Sequence, residues 1–273
     1  MSAGRSLTLT RVLHPCVLLE GGGARALIDP CFGFFALRRL TAGMMGIGMP
    51  APGLQPESLQ NLDLIAMTHA HEDHFDEKGL ERIPTKRIPV VVATSSHARR
   101  VRRLGFGDVS ILPAWESAAG GAWRITAVPA RAPNARREIS FVLSLGGISI
   151  LHAGDTAVHP WFEEIRDRCA PEAGCLPVNG VSLLGLRLTM TAEQAARAAA
   201  LLGLRLAIPI HAEMRFDRLS ALLYRARGTE AAFAGAARRL APATRVLLAP
   251  RGDAVELAPL LDAPAGLRYP DPQ

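Results

Sequence analysis

Short runs of β-forming, mostly aliphatic residues open the chain at positions 7–13, 16–20 and 24–29. Three consecutive glycines at 21–23 separate the last two runs. Glycine adopts the backbone conformations that tight turns between strands require. The pattern therefore predicts an opening β-hairpin or meander.

Residues 32–56 lose this alternation and mix apolar residues with glycine, methionine and proline. Most loops of compact domains are shorter, so we expect a long apolar loop insertion here. Two interpretations stay open: a hydrophobic flap packed against the core, or a lid that forms one wall of a substrate site. An apolar segment of this kind would also suit a contact between copies of the chain.

The middle of the chain continues with strand-like runs. A buried strand is predicted at 62–68, and a second at 89–94 leads into a helix that ends near Gly105. Two glycines at 146–147 join two further runs, as is typical of a β-hairpin. The other strands predicted in this part lie at 108–113, 123–129, 139–145 and 148–155.

From residue 159 onward, helical and strand-like segments alternate. Thr191 and Gln194 form a capping-box pattern that begins a helix, and Gly203 would end that helix. Two β-rich halves, each carrying helices, predict an α/β fold in which two sheets pack together with helices outside. The later predicted elements are strands at 175–178, 205–210 and 245–250 and helical residues at 216–240.

The length of the chain suits one large domain. Its 273 residues are 49% hydrophobic, which is enough to bury a sizeable core, although two small domains would also fit the length. No linker or low-complexity tract divides the sequence. We expect a single domain over 1–273 with a loose, proline-rich tail at 262–273.

The formal net charge of +6 does not indicate a nucleic-acid partner. Lys78 and Lys86 are the only lysines among 31 basic residues, and the arginines are scattered as singles and pairs. Nucleic-acid-binding faces usually concentrate their basic residues on one surface. We expect a small-molecule substrate and no nucleic acid, and a homo-oligomer stays open.

The N-terminal residues lack the charged start and apolar run of a secretory signal. No apolar run reaches the length of a membrane span, so we expect no stable membrane insertion. The four cysteines form no CxxC pair and fit a reducing compartment. These features together predict a cytoplasmic protein.

Three histidines and an aspartate lie within six residues, directly after the predicted strand at 62–68. They are His69, His71, Asp73 and His74. Imidazole and carboxylate are the ligands that zinc and neighbouring divalent ions take in proteins. The alternative is a solvated polar turn, but three imidazoles so close together are hard to explain by packing alone. The cluster therefore predicts a metal site.

The run Thr-His-Ala-His-Glu-Asp-His at 68–74 resembles the HxHxDH signature of metallo-β-lactamase-fold hydrolases. Asp29 in LIDP, Asp155 in HAGDT and His211 in IPIHAEM resemble the other motifs of that family, in the expected order. The resemblance extends over roughly residues 7–257 and implies a four-layer αββα sandwich of two mixed β-sheets. Within the family, the chain looks most like the branch of L-ascorbate 6-phosphate lactonase and N-acyl-phosphatidylethanolamine phospholipase D.

The resemblance also implies which residues bind metal. The expected cofactor is zinc, as one or two ions, with manganese or iron as alternatives. Carried over from the family, the ligands would be His69 and His71 for a first ion, Asp73, His74 and His211 for a second, and Asp155 as a bridge between the two ions.

One position departs from the family pattern. Ala132 stands where the family supplies a further histidine to the first site, so that site is expected to be altered. His159 is the candidate replacement ligand. His14 and Asp29 are expected behind the ligands, and Arg131 could bind a phosphate or carboxylate of the substrate.

The family mechanism implies that a metal-bound hydroxide attacks an ester, lactone or phosphodiester bond, with Asp73 orienting or deprotonating the water. Two alternatives remain. An altered first site of two histidines and one carboxylate would suit an iron-dependent oxidative or rearrangement enzyme. A degenerate member of the family could instead be a non-catalytic binding protein.

Overall fold

The computed structural model describes residues 4–34, 47–131, 138–218 and 220–263. The helices are α1 (Glu77–Arg82), α2 (Ser95–Arg103), α3 (Trp161–Cys169), α4 (Ala192–Leu201), α5 (Ser220–Leu223), α6 (Glu230–Leu240) and α7 (Ala258–Asp262), and a 3-10 turn lies at Pro56–Ser58. The strands are β1 (Thr8–Leu13), β2 (Cys16–Gly21), β3 (Ala24–Ile28), β4 (Ile47–Gly48), β5 (Leu64–Met67), β6 (Val90–Val92), β7 (Val109–Ile111), β8 (Ser117–Gly120), β9 (Trp123–Pro129), β10 (Ile139–Leu145), β11 (Ile148–His152), β12 (Ala173–Pro177), β13 (Ser182–Leu183), β14 (Leu186–Arg187), β15 (Leu206–Ile210), β16 (Arg215–Phe216), β17 (Tyr224–Arg225), β18 (Arg245–Val246) and β19 (Ala254–Glu256).

The first large sheet has seven strands in the order β19-β1-β2-β3-β5-β6-β7. Strands β1, β2 and β3 form the expected antiparallel meander, while β3, β5, β6 and β7 run parallel to one another. Gly22 and Gly23 make the β2–β3 turn with φ angles of 58° and 82°. Positive φ at both central residues is what a tight hairpin turn needs, and glycine adopts it without steric cost.

The second large sheet has seven strands in the order β18-β15-β12-β11-β10-β9-β8. Strands β8 to β11 are antiparallel to their neighbours, whereas β11, β12, β15 and β18 are parallel. Both sheets are therefore mixed. The parallel strands of each sheet bring their carboxyl ends to one edge, where loops collect side chains for a site.

The two sheets pack face to face around the main core. Leu19 of β2, Phe141 of β10 and Ile208 of β15 are buried in that layer. Helices cover the outer faces: α2 buries Ala98 and Val101 against the first sheet, and α3, α4 and α6 cover the second. The predicted α/β fold with two sheets and outer helices, the four-layer αββα sandwich, is confirmed.

Helix α4 shows how local sequence sets an element. The hydroxyl of Thr191 accepts from the backbone N–H of Gln194, whose side chain accepts from the backbone N–H of Thr191, so the predicted capping box is present. Alanines on one face of α4 are buried against the second sheet. Gly203, with φ of 65°, follows the helix end.

The structure differs from the sequence predictions in some segments outside the two large sheets. The segment 216–240 contains α5, β17 and α6 rather than one continuous helical stretch. Within the loop at 32–56, β4 pairs with β16, while 35–46 lie outside the described residues. Helix α7 includes Asp262, the first residue of the predicted loose tail, and residues 264–273 lie outside the described residues.

The extent of the domain, 1–273, stays a prediction. In the part of the chain that the structure describes, no helix has the length and apolar character needed to cross a membrane.

Candidate metal centre

The candidate ligands meet at the carboxyl ends of strands from both sheets. The motif His69 to His74 follows β5 of the first sheet. Asp155 follows β11 and His211 follows β15, both in the second sheet. Residues far apart in sequence therefore converge at one edge of the sandwich, between the two sheets.

His74, His211 and Asp155 lie at the centre of this cluster. The Nε2 atoms of His74 and His211 are 3.1 Å apart. Asp155 Oδ1 lies 2.9 Å from His211 Nε2 and 3.3 Å from His74 Nε2. All three side chains are buried. These separations match those between ligands that share one ion, because bonds of about 2.0–2.2 Å keep neighbouring ligands near 3 Å apart.

Asp73 is half-buried and lies beside His74, His211 and Asp155. Its Oδ2 lies 3.3 Å from His211 Nε2 and 3.9 Å from His74 Nε2. It also lies 3.6 Å from the Nε2 of His14, whose ring centroid is 3.7 Å from that of His211. The ligand atoms of His14, Asp73 and His211 lie within 4.8 Å of one another. The structure thus places His14 close enough to act as a ligand itself.

His69 and His71 form the other side of the cluster. His69 Nε2 lies 2.9 Å from His71 Nδ1 and 3.9 Å from Asp155 Oδ2. The donor atoms of His69, His74 and Asp155 form a second trio within 4.8 Å. A third trio within the same distance contains His69, His71 and Glu138. The described residues thus offer three donor trios, of which the second and third share His69.

Asp29 stabilises the loop that carries the motif at 68–74. Its carboxylate accepts from the backbone N–H of Thr68 at 2.7 Å and from the Thr68 hydroxyl at 2.8 Å. Asp29 Oδ2 also lies 2.7 Å from His74 Nδ1, so Nε2 of that ring faces the cluster. Carboxylates behind histidine ligands commonly orient the ring in this way.

Thr68 and Gly154 pack directly against each other beneath the ligands. The Thr68 hydroxyl contacts His69 Nδ1 at 3.0 Å, which leaves Nε2 of that ring facing the cluster. Gly154 has φ of +59°, and a Cβ there would lie 2.7–3.0 Å from the Thr68 side chain. Glycine is therefore required immediately before Asp155.

His211 is positioned by two neighbouring loops. The side-chain amide of Asn179, which follows β12, contacts His211 Nδ1 at 3.1 Å. The hydroxyl of Thr189 donates to Asn179 Oδ1 at 2.7 Å and fixes that amide. Glu213 accepts from the backbone N–H of His14 at 2.6 Å, which ties the β1–β2 turn to the loop after β15.

The buried carboxylates stay ionised because imidazoles face them. Burial raises the pKa of Asp155, but His211 and His74 outweigh burial and hold that pKa well below its usual value. Burial likewise opposes ionisation of Asp73, and His74 and His211 lower its pKa. Two negative charges therefore persist in the cluster at neutral pH.

Two imidazoles balance these charges when no cation is bound. Burial alone would lower the pKa of His74, but Asp155, Asp29 and Asp73 raise it well above its usual value. Burial is also outweighed at His211, where Asp155 raises the pKa to about 9. A metal cation would displace these protons, since ligands bind metals in their deprotonated forms.

Other donors in the cluster stay neutral. Burial and the facing His74 hold the pKa of His69 well below its usual value, and burial and His211 do the same for His14. Both ring nitrogens of His14 and both carboxyl oxygens of Glu138 are buried without a hydrogen-bond partner among the described residues. Buried polar atoms are nearly always paired, so these donors fit a cation at this edge.

The sequence predicted most of the cluster but not all of it. The structure brings together the predicted ligands, and it places His14 and Asp29 against them. His159 lies elsewhere: its ring packs 3.9 Å from the ring of Phe162, and it joins none of the three donor trios found among the described residues. The predicted ligands that it brings together are His69, His71, Asp73, His74, Asp155 and His211.

Arg131 and Ala132 follow β9 on the second sheet. The backbone of Arg131 is bonded to Thr156 and Ala157, just after Asp155, and its side chain is exposed. Its role in substrate binding stays a prediction. Ala132, the position where the family supplies a histidine, lies outside the described residues.

Sequence reasoning assigned no role at the site to Glu138, Asn179 or His152. His152 Nε2 contacts the carbonyl oxygen of Pro15 at 2.8 Å, and its Nδ1 lies 3.5 Å from Asp29, so it links the two sheets beneath the site. Asn179 stands in a motif that resembles the family, which was a usable signal. Glu138 carried the weaker signal of standing in the same loop as Ala132.

An αββα sandwich with a histidine- and aspartate-rich centre at the strand ends is the architecture of metallo-β-lactamase-fold enzymes. Residues 8–211 match the family model described as the β-lactamase superfamily domain. The chain belongs to this family, the metallo-β-lactamase superfamily, and relatives of the chain are named metal-dependent hydrolases.

Named relatives agree with this assignment. A UPF0173 metal-dependent hydrolase from Pyrococcus horikoshii is 28% identical over 213 residues, covering 72% of this chain and 81% of that protein. Among solved structures, Igni18, a metallo hydrolase from Ignicoccus hospitalis, aligns with a TM-score of 0.66 and 20% identity over 92% of this chain and 98% of its own.

CmlA, a diiron β-hydroxylase from Streptomyces venezuelae, aligns with a TM-score of 0.62 and 19% identity. The alignment covers 76% of this chain and 45% of CmlA. At such identities the two solved structures show the shared fold alone.

Proposed function

We propose that this chain hydrolyses an ester, lactone or phosphodiester bond of a small molecule, using one or two divalent ions, with zinc expected first. The observation that carries the proposal is the convergence of three donor trios on one edge of the sandwich. Motif resemblance further supports a place near the L-ascorbate 6-phosphate lactonase and N-acyl-phosphatidylethanolamine phospholipase D branch. The first site is altered at Ala132.

A divalent ion bound here supplies Lewis acidity and lowers the pKa of water from 15.7 towards about 7. The buried His69, His74 and His211 and the exposed His71 would hold this ion, and Asp155 lies within 3.9 Å of His69 on one side of the cluster and 2.9 Å of His211 on the other. The donor chemistry suits zinc, manganese or iron.

Asp73 is the residue we assign to catalysis. Its low pKa keeps it as a carboxylate, and its side chain retains 17% exposure while the ligands around it are buried. It can therefore accept a hydrogen bond from incoming water and orient or deprotonate it. General-base contributions of this kind are about 10²–10⁴-fold in rate.

Two features of the rim support a substrate with an apolar part and an anionic part. Strand β4, at the end of the apolar loop 32–56, pairs with β16, which begins four residues after His211. Arg131 is exposed, and its backbone is bonded to Thr156 and Ala157, just after Asp155. A small acylated or phosphorylated substrate satisfies both features.

The proposal is tested by assaying metal-free enzyme, and enzyme refilled with Zn²⁺, Mn²⁺ or Fe²⁺, against esters, lactones and phosphodiesters. Asp73→Asn is expected to lower kcat per bound ion by about 10²-fold or more, because it removes the proton acceptor; bound metal is measured alongside, because Asp73 is also a candidate ligand. Glu72→Gln, which alters an exposed neighbouring carboxylate, is the matched control. Equal kcat for Asp73→Asn and the wild type would overturn the assignment of Asp73.

An iron-dependent oxidative or rearrangement enzyme is the second candidate. The observation that favours it is that His69 Nε2 lies 2.9 Å from His71 Nδ1 and 3.9 Å from Asp155 Oδ2, because two histidines and one carboxylate are the ligand types of such iron sites. Substrate turnover that requires Fe²⁺ and consumes oxygen, with no hydrolysis of the panel, would select this candidate.

A further inference from the structure

Glu138 lies in the cluster without a task in the mechanism above. It directly precedes β10, and the residue is 7% exposed. Neither carboxyl oxygen has a hydrogen-bond partner among the described residues. An acidic group in that situation is costly unless a cation or a donor meets it.

Among the residues that the structure describes, Glu138 forms no ion pair with an arginine or lysine, and candidate metal ligands lie beside it. One of its oxygens lies within 4.8 Å of the donor nitrogens of both His69 and His71. Its backbone position is set by the next residue, since Ile139 N–H donates to the carbonyl of Thr68 at 3.4 Å. That contact joins the start of β10 in the second sheet to the residue that precedes His69.

We propose that Glu138 is the third side-chain ligand of the first metal ion, completing a set with His69 and His71 in place of the histidine that Ala132 lacks. The inference rests on the proposed metal-dependent function and goes beyond it by naming a ligand. In sequence, Glu138 and Ala132 both lie between β9 and β10.

The electrostatics of the cluster agree with this role. Burial and the facing charge of Asp155 raise the pKa of Glu138 to about 9. Without a cation the carboxyl group is therefore protonated at neutral pH, and a bound divalent ion supplies the positive charge that makes the carboxylate favourable.

The ligand set has a consequence for metal choice. Two imidazoles with Glu138 and Asp155 present more oxygen than a set built on three histidines. Oxygen-rich sets favour manganese and iron relative to zinc. Glu138→His, which restores the residue type of the family, is expected to shift an equimolar Mn²⁺ and Zn²⁺ competition towards zinc.

The experiment measures bound metal by mass spectrometry and metal affinity by chelator competition in four full-length proteins: wild type, Glu138→Gln, Glu138→His and Glu72→Gln. Glutamine matches the shape of the protonated carboxyl group, so the melting temperature of the metal-free Glu138→Gln protein should equal that of the wild type. We expect Glu138→Gln alone to lose one ion, or to bind its less tightly held ion at least about 10-fold more weakly than the wild type does.

Every other pattern overturns the ligand assignment. If Glu138→Gln keeps wild-type metal content and affinity, Glu138 is not a ligand. If Glu138→Gln and Glu138→His lose metal affinity equally, the effect comes from a structural change at this position. If Glu72→Gln loses as much affinity, the effect is not specific to Glu138. Failure of the proposed function is separately visible, because the wild type itself would then bind no metal.

Discussion

Asp155 lies within ion-pair distance of three imidazoles, those of His69, His74 and His211. Its position depends on the residue before it, because Gly154 packs its backbone against Thr68 with a positive φ. A single small residue therefore controls where the carboxylate points. Two residue-scale predictions follow from this packing and from the pocket of His159.

Gly154→Ala should destabilise the fold and weaken metal binding. The αL conformation costs a non-glycine residue about 1–2 kcal/mol, and the clash with Thr68 adds about 1–3 kcal/mol. Gly121→Ala is the matched control, since Gly121 has φ of +54° with nothing within 4 Å of a Cβ. Chemical denaturation and metal titration measure both effects. Equal unfolding free energies for the two variants would contradict this account of Gly154.

His159→Phe should remove part of the acid sensitivity of the fold. Burial, with a contribution from Arg131, lowers the pKa of His159 to about 4. Between pH 6.5 and 4 the unfolded chain therefore binds a proton that the folded chain does not, so stability falls as pH falls through this window. The ring packs on Phe162 and both of its nitrogens are unpaired among the described residues, so phenylalanine fits the pocket.

The measurement is the unfolding free energy of metal-free protein at pH 7 and at pH 4.5. The wild type should lose more stability than His159→Phe, by an amount on the order of 2 kcal/mol. Parallel losses in both proteins would show that His159 carries a proton in the folded state.

At the scale of elements, the site depends on loops that follow neighbouring strands. Asn179 after β12 contacts His211 after β15, and the two strands are parallel neighbours in the second sheet. Asn179→Ala should lower metal affinity about 10–100-fold, because His211 loses the group that orients its ring. Asn179→Asp places a carboxylate oxygen where Nδ2 contacts His211 Nδ1, so it can accept from an Nδ1–H and should retain most of that affinity. Chelator competition measures both, and unchanged affinity in Asn179→Ala would contradict the orienting role.

The strands and the motif-bearing loops were predictable because their signals are local. Period-two runs and paired glycines specify hairpins such as β2–β3 and β10–β11, and Thr191 with Gln194 specifies the start of α4. The ligands after β5, β11 and β15 were found because each lies in a short motif that resembles a known family.

The remaining parts of the site depend on contacts between distant segments. Glu138 becomes a candidate ligand only when β10 is seen beside the loop after β5. His152 links the sheets through Pro15 and Asp29, and no local pattern reveals such a bridge. His159 was favoured because it lies near Asp155 in sequence, yet its ring packs against Phe162 instead.

At the scale of the whole molecule, the metal centre joins the two sheets. Asp29 and His69 belong to the first sheet and its loops, whereas Asp155 and His211 follow strands of the second. A cation shared between them cross-links the halves of the sandwich. Metal binding should therefore stabilise the whole fold rather than one loop.

Removing metal with a chelator should lower the melting temperature by about 5–10 °C, and readdition should restore it. Binding to the folded state alone contributes about 2.7 kcal/mol when the free metal concentration is 100-fold above its Kd. Scanning calorimetry at fixed pH checks this, with the Asp155→Asn protein as control. Equal melting temperatures with and without metal in the wild type would show that no ion connects the sheets.

The central claim is that this cluster is the metal centre of a hydrolase, and metal content of the purified protein tests it most directly. Mass spectrometry on wild type, Asp155→Ala and Asp155→Asn compares the bound ions per chain. The account predicts about two ions per wild-type chain, held by the trios around His69 and His211, and a loss of at least one ion in both variants. A wild type without bound metal, or Asp155 variants with undiminished content, would contradict it.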